Sequence, residues 1–394
     1  MRAKKGQHRP RLRLIRRARR RGLREENPMG IHPPKGHYEL ARDCIARLEK
    51  RRFHEFYKEF YTGELLSCTE AKTWNQPLQS QFQAVSIPQP PSFTAVVRKG
   101  RVWGGGGAIV ARDNRLISDV SIEWDGDLKM GRDHPIFKAW SPYPLVTTNE
   151  TIGVLAFCGS NNYFHWMYDV LPRLDLLQRT GVSIDRYLIK HCDAPYQTET
   201  LAALGIPKEK LLPVHDETHL KARRLVVPSS NVKQGYARWS CDYLRHALLP
   251  HGSTANIETF ERIYVSRASS QYRRVTNEQE LCELLSQHGF RTIQLETLTV
   301  AEQIRLFAVA KAIVSPHGAG LTNLTFCSPG TKVIELFSPD YAPSLYWLIS
   351  NHVNLDYYCL FSDQFEPGPA WAGASNLTVD VAKLTELLRF AGII

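Results

Sequence analysis

From about residue 150 onward, short apolar runs alternate with longer stretches in which apolar positions recur every three or four residues. "TIGVLAF" (151–157), "RYLIK" (186–190), "LLPV" (211–214) and "ARRLVVP" (222–228) have the length and composition of buried strands. Between them, "NYFHWMYDVLPRLDLLQRTG" (162–181) and "TETLAALGI" (198–206) have helical period. A second series begins at "FERIYVSR" (260–267), a strand, and runs through the helix "NEQELCELLSQHGF" and the strand "RTIQLE". It continues with the helix "TVAEQIRLFAVA", N-capped by Thr299 with Glu302 three residues on, and the strand "AIVSP". The short helix "GLTNLTFC", the strand "KVIELFSP", the helix "SLYWLISNHV" and the strand "LDYYCLF" follow, and "VAKLTELLRFAGII" closes the chain as an amphipathic helix. Such alternation predicts βαβ units and parallel sheets, an α/β fold in two halves. The polar segment 246–258 is the expected hinge.

The first 150 residues read differently. Residues 38–60 have spaced apolar positions among charges and predict one amphipathic helix, and the Pro-rich 70–92 predicts a loop or linker. Residues 93–124 alternate β-rich runs with "RKG", "GGGG" and "RDN", the pattern of antiparallel hairpins. The expected organisation is a disordered basic tail over 1–28, an N-terminal helix and linker over 29–92, and an acceptor-side domain over 93–248. A donor domain over 259–378 and a C-terminal helix over 379–394 complete it.

Composition changes the picture at one place. The 394-residue chain carries a formal net charge of +11, but residues 1–28 hold 12 Lys/Arg against 2 acidic residues. The rest of the chain is nearly neutral, so the basicity belongs to the terminus. "RLRLIRRARRRGLR" has too few apolar residues to offset the entropy of ordering. A solvated tail, an arm for an anionic membrane and an arm for nucleic acid are its three readings; the neutral body argues against specific nucleic-acid binding as the main role. No apolar run follows the tail as a secretory signal requires. The eight cysteines are scattered without CxxC or a Cys/His cluster, so no metal site is expected and the thiols suit a reducing compartment. Asp125-Gly-Asp127 resembles a metal-holding Asp-x-Asp, but Asp-Gly within a hairpin region predicts a turn.

The candidate chemistry sits where strands end, because ligands of parallel sheets bind beyond the carboxyl ends of the strands. "SPHGAGLTNL" (315–324) joins a strand to a helix. The amides at that helix start, with Gly318 and Gly320 clearing the approach, suit a phosphate, and His317, Thr322 and Asn323 can add hydrogen bonds. The alternative is a tight turn with a surface histidine. Neither G-x-G-x-x-G nor G-K-[ST] occurs there, which sets dinucleotide binding and P-loop chemistry aside. Glu335 ends the next strand, where a carboxylate can accept from ribose hydroxyls or pair with an arginine. Arg267, Arg273 and Arg274 follow "IYVS", and a guanidinium binds phosphate in a fork. In "GSNNYFHWMYDVLPRL" (159–174), Asn161 or Asn162 caps a helix, Tyr168 lies three residues after His165, and His165 and Asp169 fall on one face as i and i+4. They form either a proton-handling pair or a core histidine beside Trp166.

Taken together, "NYFHWMYDVLPRL", "IYVSR" with "RRVTNEQEL", and "SPHGAGLTNLTFCSPGTKVIELF" resemble the family 61 glycosyltransferases over roughly residues 93–362. The resemblance implies a GT-B architecture, two Rossmann-like parallel-sheet domains facing a cleft. It implies an inverting transferase that moves a sugar from a nucleotide-sugar donor, with a UDP-sugar expected, to a glycan or protein hydroxyl, with no metal or other cofactor required. Carried over by resemblance, Asp169 and His165 are catalytic, with Asn162, Tyr168 and Arg173 on the acceptor side. Arg267, Arg273, His317, Gly318, Ala319, Gly320, Leu321, Thr322 and Glu335 fall on the donor side. The family's eukaryotic members are membrane-anchored or ER-directed. The expectation here is a bacterial cytoplasmic enzyme of capsule or surface-polysaccharide synthesis, with peripheral membrane association through the basic tail. A nucleotide-sugar-binding module without turnover, and a nucleic-acid-binding protein acting through the tail, are the alternatives.

Overall fold

The computed structural model describes residues 24–25, 32–138, 143–190, 192–230, 232, 236–368 and 372–394. Two sheets organise them. The first has eleven strands. Its parallel part runs Leu211–Val214, Arg186–Lys190, Val146–Val154, His219–Pro228, the strands foreseen from apolar runs. The N-terminal hairpins extend it antiparallel: Arg101–Trp103 and Ser92–Arg98 both pair with His219–Pro228, and Ala108–Val110 and Leu116–Ile117 continue outward. The second sheet is wholly parallel, in the order Arg291–Ile293, Arg262–Val265, Ala312–Pro316, Lys332–Phe337, Asp356–Phe361. Its central strands are buried on both faces, which is why they read as unbroken apolar runs. Thr299 and Glu302 form the expected capping box on the helix Val300–Val309.

Four expectations are corrected. The 38–60 helix exists only as Ala41–Leu48 and a turn at Phe53–Phe56; Tyr57–Tyr61 is a strand paired with Ser92–Arg98, held by Tyr57 stacked on Phe93. The 70–92 linker is not loose. Leu65–Cys68 and Val85–Pro88 form a hairpin, and the chain between them docks on the second sheet. There Phe82 is fully buried among Phe337, Trp347, Tyr357 and Phe361, and the Lys72 amide donates to the Tyr357 carbonyl. The hinge segment 246–258 is largely the end of the helix Arg238–Ser253, whose Gly252 lies against Ile304 with no room for a side chain. Its polarity marks a solvated helix face, not a flexible joint. The tail over 1–28 lies outside the described residues except Arg24–Glu25, which pair with Val146 and Thr147. The strand Arg186–Lys190 reaches its neighbour only from Ile152 onward, so the backbone at 146–147 is open on that side and accepts a partner.

One apolar core runs through both sheets, and a second fills the far face of the parallel sheet under the C-terminal helix Val381–Phe390. Direct polar ties join the halves: Tyr163 Oη donates to Asn323 Oδ1 at 2.9 Å, Tyr168 and Thr325 share a 2.7 Å hydroxyl bond, and Arg245 donates to the Cys327 carbonyl at 2.8 Å. The cysteines are all free thiols. Among the described residues no helix is long and apolar enough to cross a membrane.

Candidate functional site

Asn162 breaks the chain after the strand Val146–Val154 and its extension to Phe157. In extended backbone, its Oδ1 accepts from the Phe164 amide at 2.9 Å and the His165 amide at 3.5 Å. One α-turn, Tyr163–His165, passes into a π-helical turn, Trp166–Val170. Pro172 is the local cause: its ring displaces the carbonyl one turn back, and the Leu171 amide bonds five residues back to Trp166. The turn brings His165 Nδ1 to 2.8 Å from Asp169 Oδ2. The carboxylate side chain is 1% exposed and the imidazole 35% exposed, so the atom of this pair that meets solvent is on the histidine. Gly159 leaves space for that ring, since a Cβ there would lie 3.1 Å from His165 Cγ. Arg173 is buried behind it, donating to the Ala156 carbonyl at 3.0 Å with its guanidinium over Phe157. Burial lowers the Arg173 pKa, and the Asp169 carboxylate opposes that shift. Burial and then Asp169 raise the pKa of the Tyr236 hydroxyl.

The second cluster lies at the ends of the parallel strands. His317 Nδ1 is 2.5 Å from Glu335 Oε1, and Tyr357 Oη donates to Glu335 Oε2 at 2.6 Å. Glu335 is fully buried with both oxygens occupied, so it does not reach a ribose; it holds the His317 ring. Burial lowers the His317 pKa, and Glu335 resists that shift. Arg273 Nε donates to the His317 carbonyl at 3.1 Å, and its guanidinium stands over Tyr341. Burial and the neighbouring Arg273 bring the Arg267 pKa down to about 10. Each arginine favours an anion placed beside it.

The glycine argument is corrected in its reason. Gly318 is extended, a conformation open to any residue, but a Cβ there would fall on Arg267 Nη1. Gly320 makes room for Leu295, whose Cδ1 would be 2.7 Å from its Cβ. Both glycines seat the protein's own side chains. The following helix is 3-10, Ala319–Phe326, and Leu321 and Thr322 are fully buried in it. Asn323 is used internally, by Tyr163 and by Gln303. Asn162 serves as a cap through Oδ1 on an exposed side chain, and Tyr168 is buried against Thr325 and stacked on Phe164, so the Tyr168 hydroxyl is not free for an acceptor. Asp125–Asp127 is the tip of the hairpin formed by Glu123–Trp124 and Leu128–Lys129, with Gly126 at φ +67°, the expected turn.

The two His–carboxylate pairs face one aromatic cluster. The Phe164 ring lies 4.7 Å from Tyr236 and 5.9 Å from Tyr346, and Tyr346 lies 5.1 Å from the His317 ring. Sequence reading missed Tyr236, Tyr346 and Tyr357. The fold brings the Tyr236 hydroxyl to Asp169, the Tyr357 hydroxyl to Glu335 and the Tyr346 hydroxyl to Thr322. Arg274 is set apart, its amide bonded to Asn376.

Comparison with known proteins follows this geometry. Residues 163–334 match the family model Glycosyltransferase 61, a span that contains His165, Asp169, Arg267, Arg273 and His317. Beta-1,2-xylosyltransferase RCN11 of Oryza sativa subsp. japonica is 36% identical over 63 residues, 16% of this chain and 12% of that protein. The Beta-1,2-xylosyltransferase of Arabidopsis thaliana is 26% identical over 98 residues, 25% of this chain and 17% of that protein. The chain thus matches only a small part of the length of these curated relatives. Through residues 163–334, where both histidines and the two arginines lie, the chain is similar to the Glycosyltransferase 61 family.

Proposed function

We propose that the chain is an inverting glycosyltransferase that moves a sugar from a nucleotide-sugar, a UDP-sugar first, to a glycan hydroxyl, with its two sheets acting as the halves of a GT-B arrangement. The observation that carries this reading is the placement of a solvent-facing imidazole, backed by a buried carboxylate, across an aromatic bridge from two arginines and a second imidazole. His165 Nε2 takes the acceptor proton while Asp169 holds Nδ1 and stabilises the imidazolium. The acceptor oxygen attacks the anomeric carbon as the bond to the diphosphate oxygen breaks, and the nucleoside diphosphate leaves with the electron pair. Arg267, Arg273 and His317 carry the departing charge, the work that guanidinium clamps do on phosphates. Of the pair, His165 rather than Asp169 is the base, because the carboxylate has no open face. Metal-independent transfer, a cytoplasmic setting and a surface polysaccharide as product are further parts of the same proposal.

The test is transfer from UDP-, GDP- and CMP-sugars, UDP-xylose among them, with and without a chelator. Donor-dependent product, or nucleotide release in the absence of acceptor, supports the reading. Nucleotide binding without either outcome makes the chain a binding module, and no binding at millimolar nucleotide removes the donor site altogether.

A further inference from the structure

The antiparallel end of the first sheet carries a cavity of about 420 Å³ far along the strand order from His165, lined by Pro34, Lys35, Gly36, His37, Arg115, Arg132 and Phe137. We propose that this cavity binds an anionic saccharide, one sugar ring bearing a carboxylate or a phosphate. Its walls are fixed by the backbone. The Lys35 amide donates to the Asn114 carbonyl, the Leu116 amide donates to the Gly36 carbonyl, and His37–Tyr38 pairs in parallel with Leu116–Ile117. Gly36 admits the Arg115 guanidinium, whose Nη1 would be 3.1 Å from a Cβ at that position. Gly131, at φ +53°, turns the chain that presents Arg132.

The charge count favours an anion. His37 is paired with Glu39 at 2.6 Å, and Arg115 lies 3.8 Å from Asp113, which also accepts from Tyr38. Lys35 and Arg132 are exposed, and their side chains have no ion-pair or hydrogen-bond partner among the described residues. Two unpaired cations at the rim of one cavity attract a carboxylate or phosphate, and an arginine can grip it with two parallel bonds. A bare inorganic anion would leave the half-buried Phe137 uncovered; a sugar ring covers it with its C–H face and keeps its hydroxyls outward. The volume falls in the range of about 300–1,000 Å³ typical of small-molecule sites. A second cavity of about 470 Å³, lined by Trp74, Asn75, Ala382, Lys383, Thr385 and Glu386, lacks this surplus, because Lys383 pairs with Asp363 and Glu386 with Arg389.

The test titrates the full chain with glucuronate and with glucose 6-phosphate, using glucose and inorganic phosphate as controls, by calorimetry at low and high salt. Binding of either anionic sugar, weakened by salt and lowered about tenfold by Arg132→Ala or Lys35→Ala, supports the site, and the arm that binds names the anion. Both substitutions are at exposed positions and leave the UDP response of the His317 cluster unchanged, so loss of the transferase reading does not touch this result. The proposal is overturned if neither sugar binds, if the double variant binds as tightly as the parent chain, or if inorganic phosphate binds as well as glucose 6-phosphate.

Discussion

His165–Asp169 and His317–Glu335 are the same two-group unit in different surroundings. In each, a carboxylate oxygen meets Nδ1 and leaves Nε2 as the ring's open nitrogen. The imidazole side chain is 35% exposed in the first and 6% exposed in the second. The first stands beside one buried arginine and a tyrosine; the second stands beside two arginines, one of which lowers the pKa of the other. A solvent-facing ring backed by a carboxylate suits removal of a proton from an arriving hydroxyl. A buried ring among cations suits holding an arriving anion. Role follows environment, as it does wherever one side-chain type does both acid and base work in a fold.

The largest effect should separate the two sites outright. His165→Ala and Asp169→Asn should each lower transfer by about 10²–10⁴-fold, the usual share of general acid–base catalysis. The thermal shift caused by UDP should be unchanged in both. If UDP binding falls together with transfer, the two clusters are not functionally distinct and the comparison fails.

Next in size is the donor side. His317→Ala and Glu335→Gln should weaken UDP binding about tenfold, the scale of a lost hydrogen bond to a charged group. Transfer at saturating donor should fall as well, because His317 also carries the departing charge. Tyr357→Phe removes the hydroxyl that holds Glu335 Oε2 and should give a smaller loss of the same kind. A Glu335→Gln variant with normal UDP affinity but lost transfer would move Glu335 from positioning to chemistry.

A smaller effect follows from protonation. Burial holds the His317 pKa below the ordinary histidine value, so the ring is neutral in the empty protein near neutral pH. A diphosphate next to Nε2 favours the charged form, so binding takes up a proton and UDP affinity should rise as pH falls from about 8 to about 6, by at most tenfold per unit. His317→Gln should flatten the profile. The sign for stability is opposite. A histidine kept neutral by the fold stabilises it above the unfolded pKa of about 6.5 and loses that contribution as pH falls. His134, His219 and His352 lie pushed down to about 4 by burial, and they should deepen the same acid decline in the melting temperature.

Much of the frame was legible because strands buried on both faces leave unbroken apolar runs. The parallel strands, the capping box at Thr299 and the i, i+4 relation of His165 and Asp169 are local patterns, and local patterns survive in sequence. What was not legible depends on contacts distant along the chain. Glu335 at a strand end reads as a ligand group until the fold places His317, 18 residues away, on one oxygen and Tyr357, 22 residues away, on the other. Gly318 reads as clearance for a phosphate until Arg267 fills that space. The 70–92 segment reads as a linker because its many polar residues mask Phe82, the fully buried side chain that seats it on the second sheet.

Asn162 offers the finest test of the comparison, since it sits beside the His165 ring and was first read as an acceptor contact. Its Oδ1 is spent on the amides of Phe164 and His165, so its contribution is to helix geometry. Loss of an N-cap costs about 1 kcal/mol. Asn162→Ala should lower the melting temperature by a few degrees and reduce transfer modestly, through a looser His165. Asn162→Ser retains a side-chain oxygen for the same amides, so it should restore both properties nearly to the parent level. A serine variant that folds normally but loses transfer as deeply as His165→Ala would mean that the Asn162 amide touches the acceptor. The exposed site would then hold a third working group, where the buried site works through its arginines.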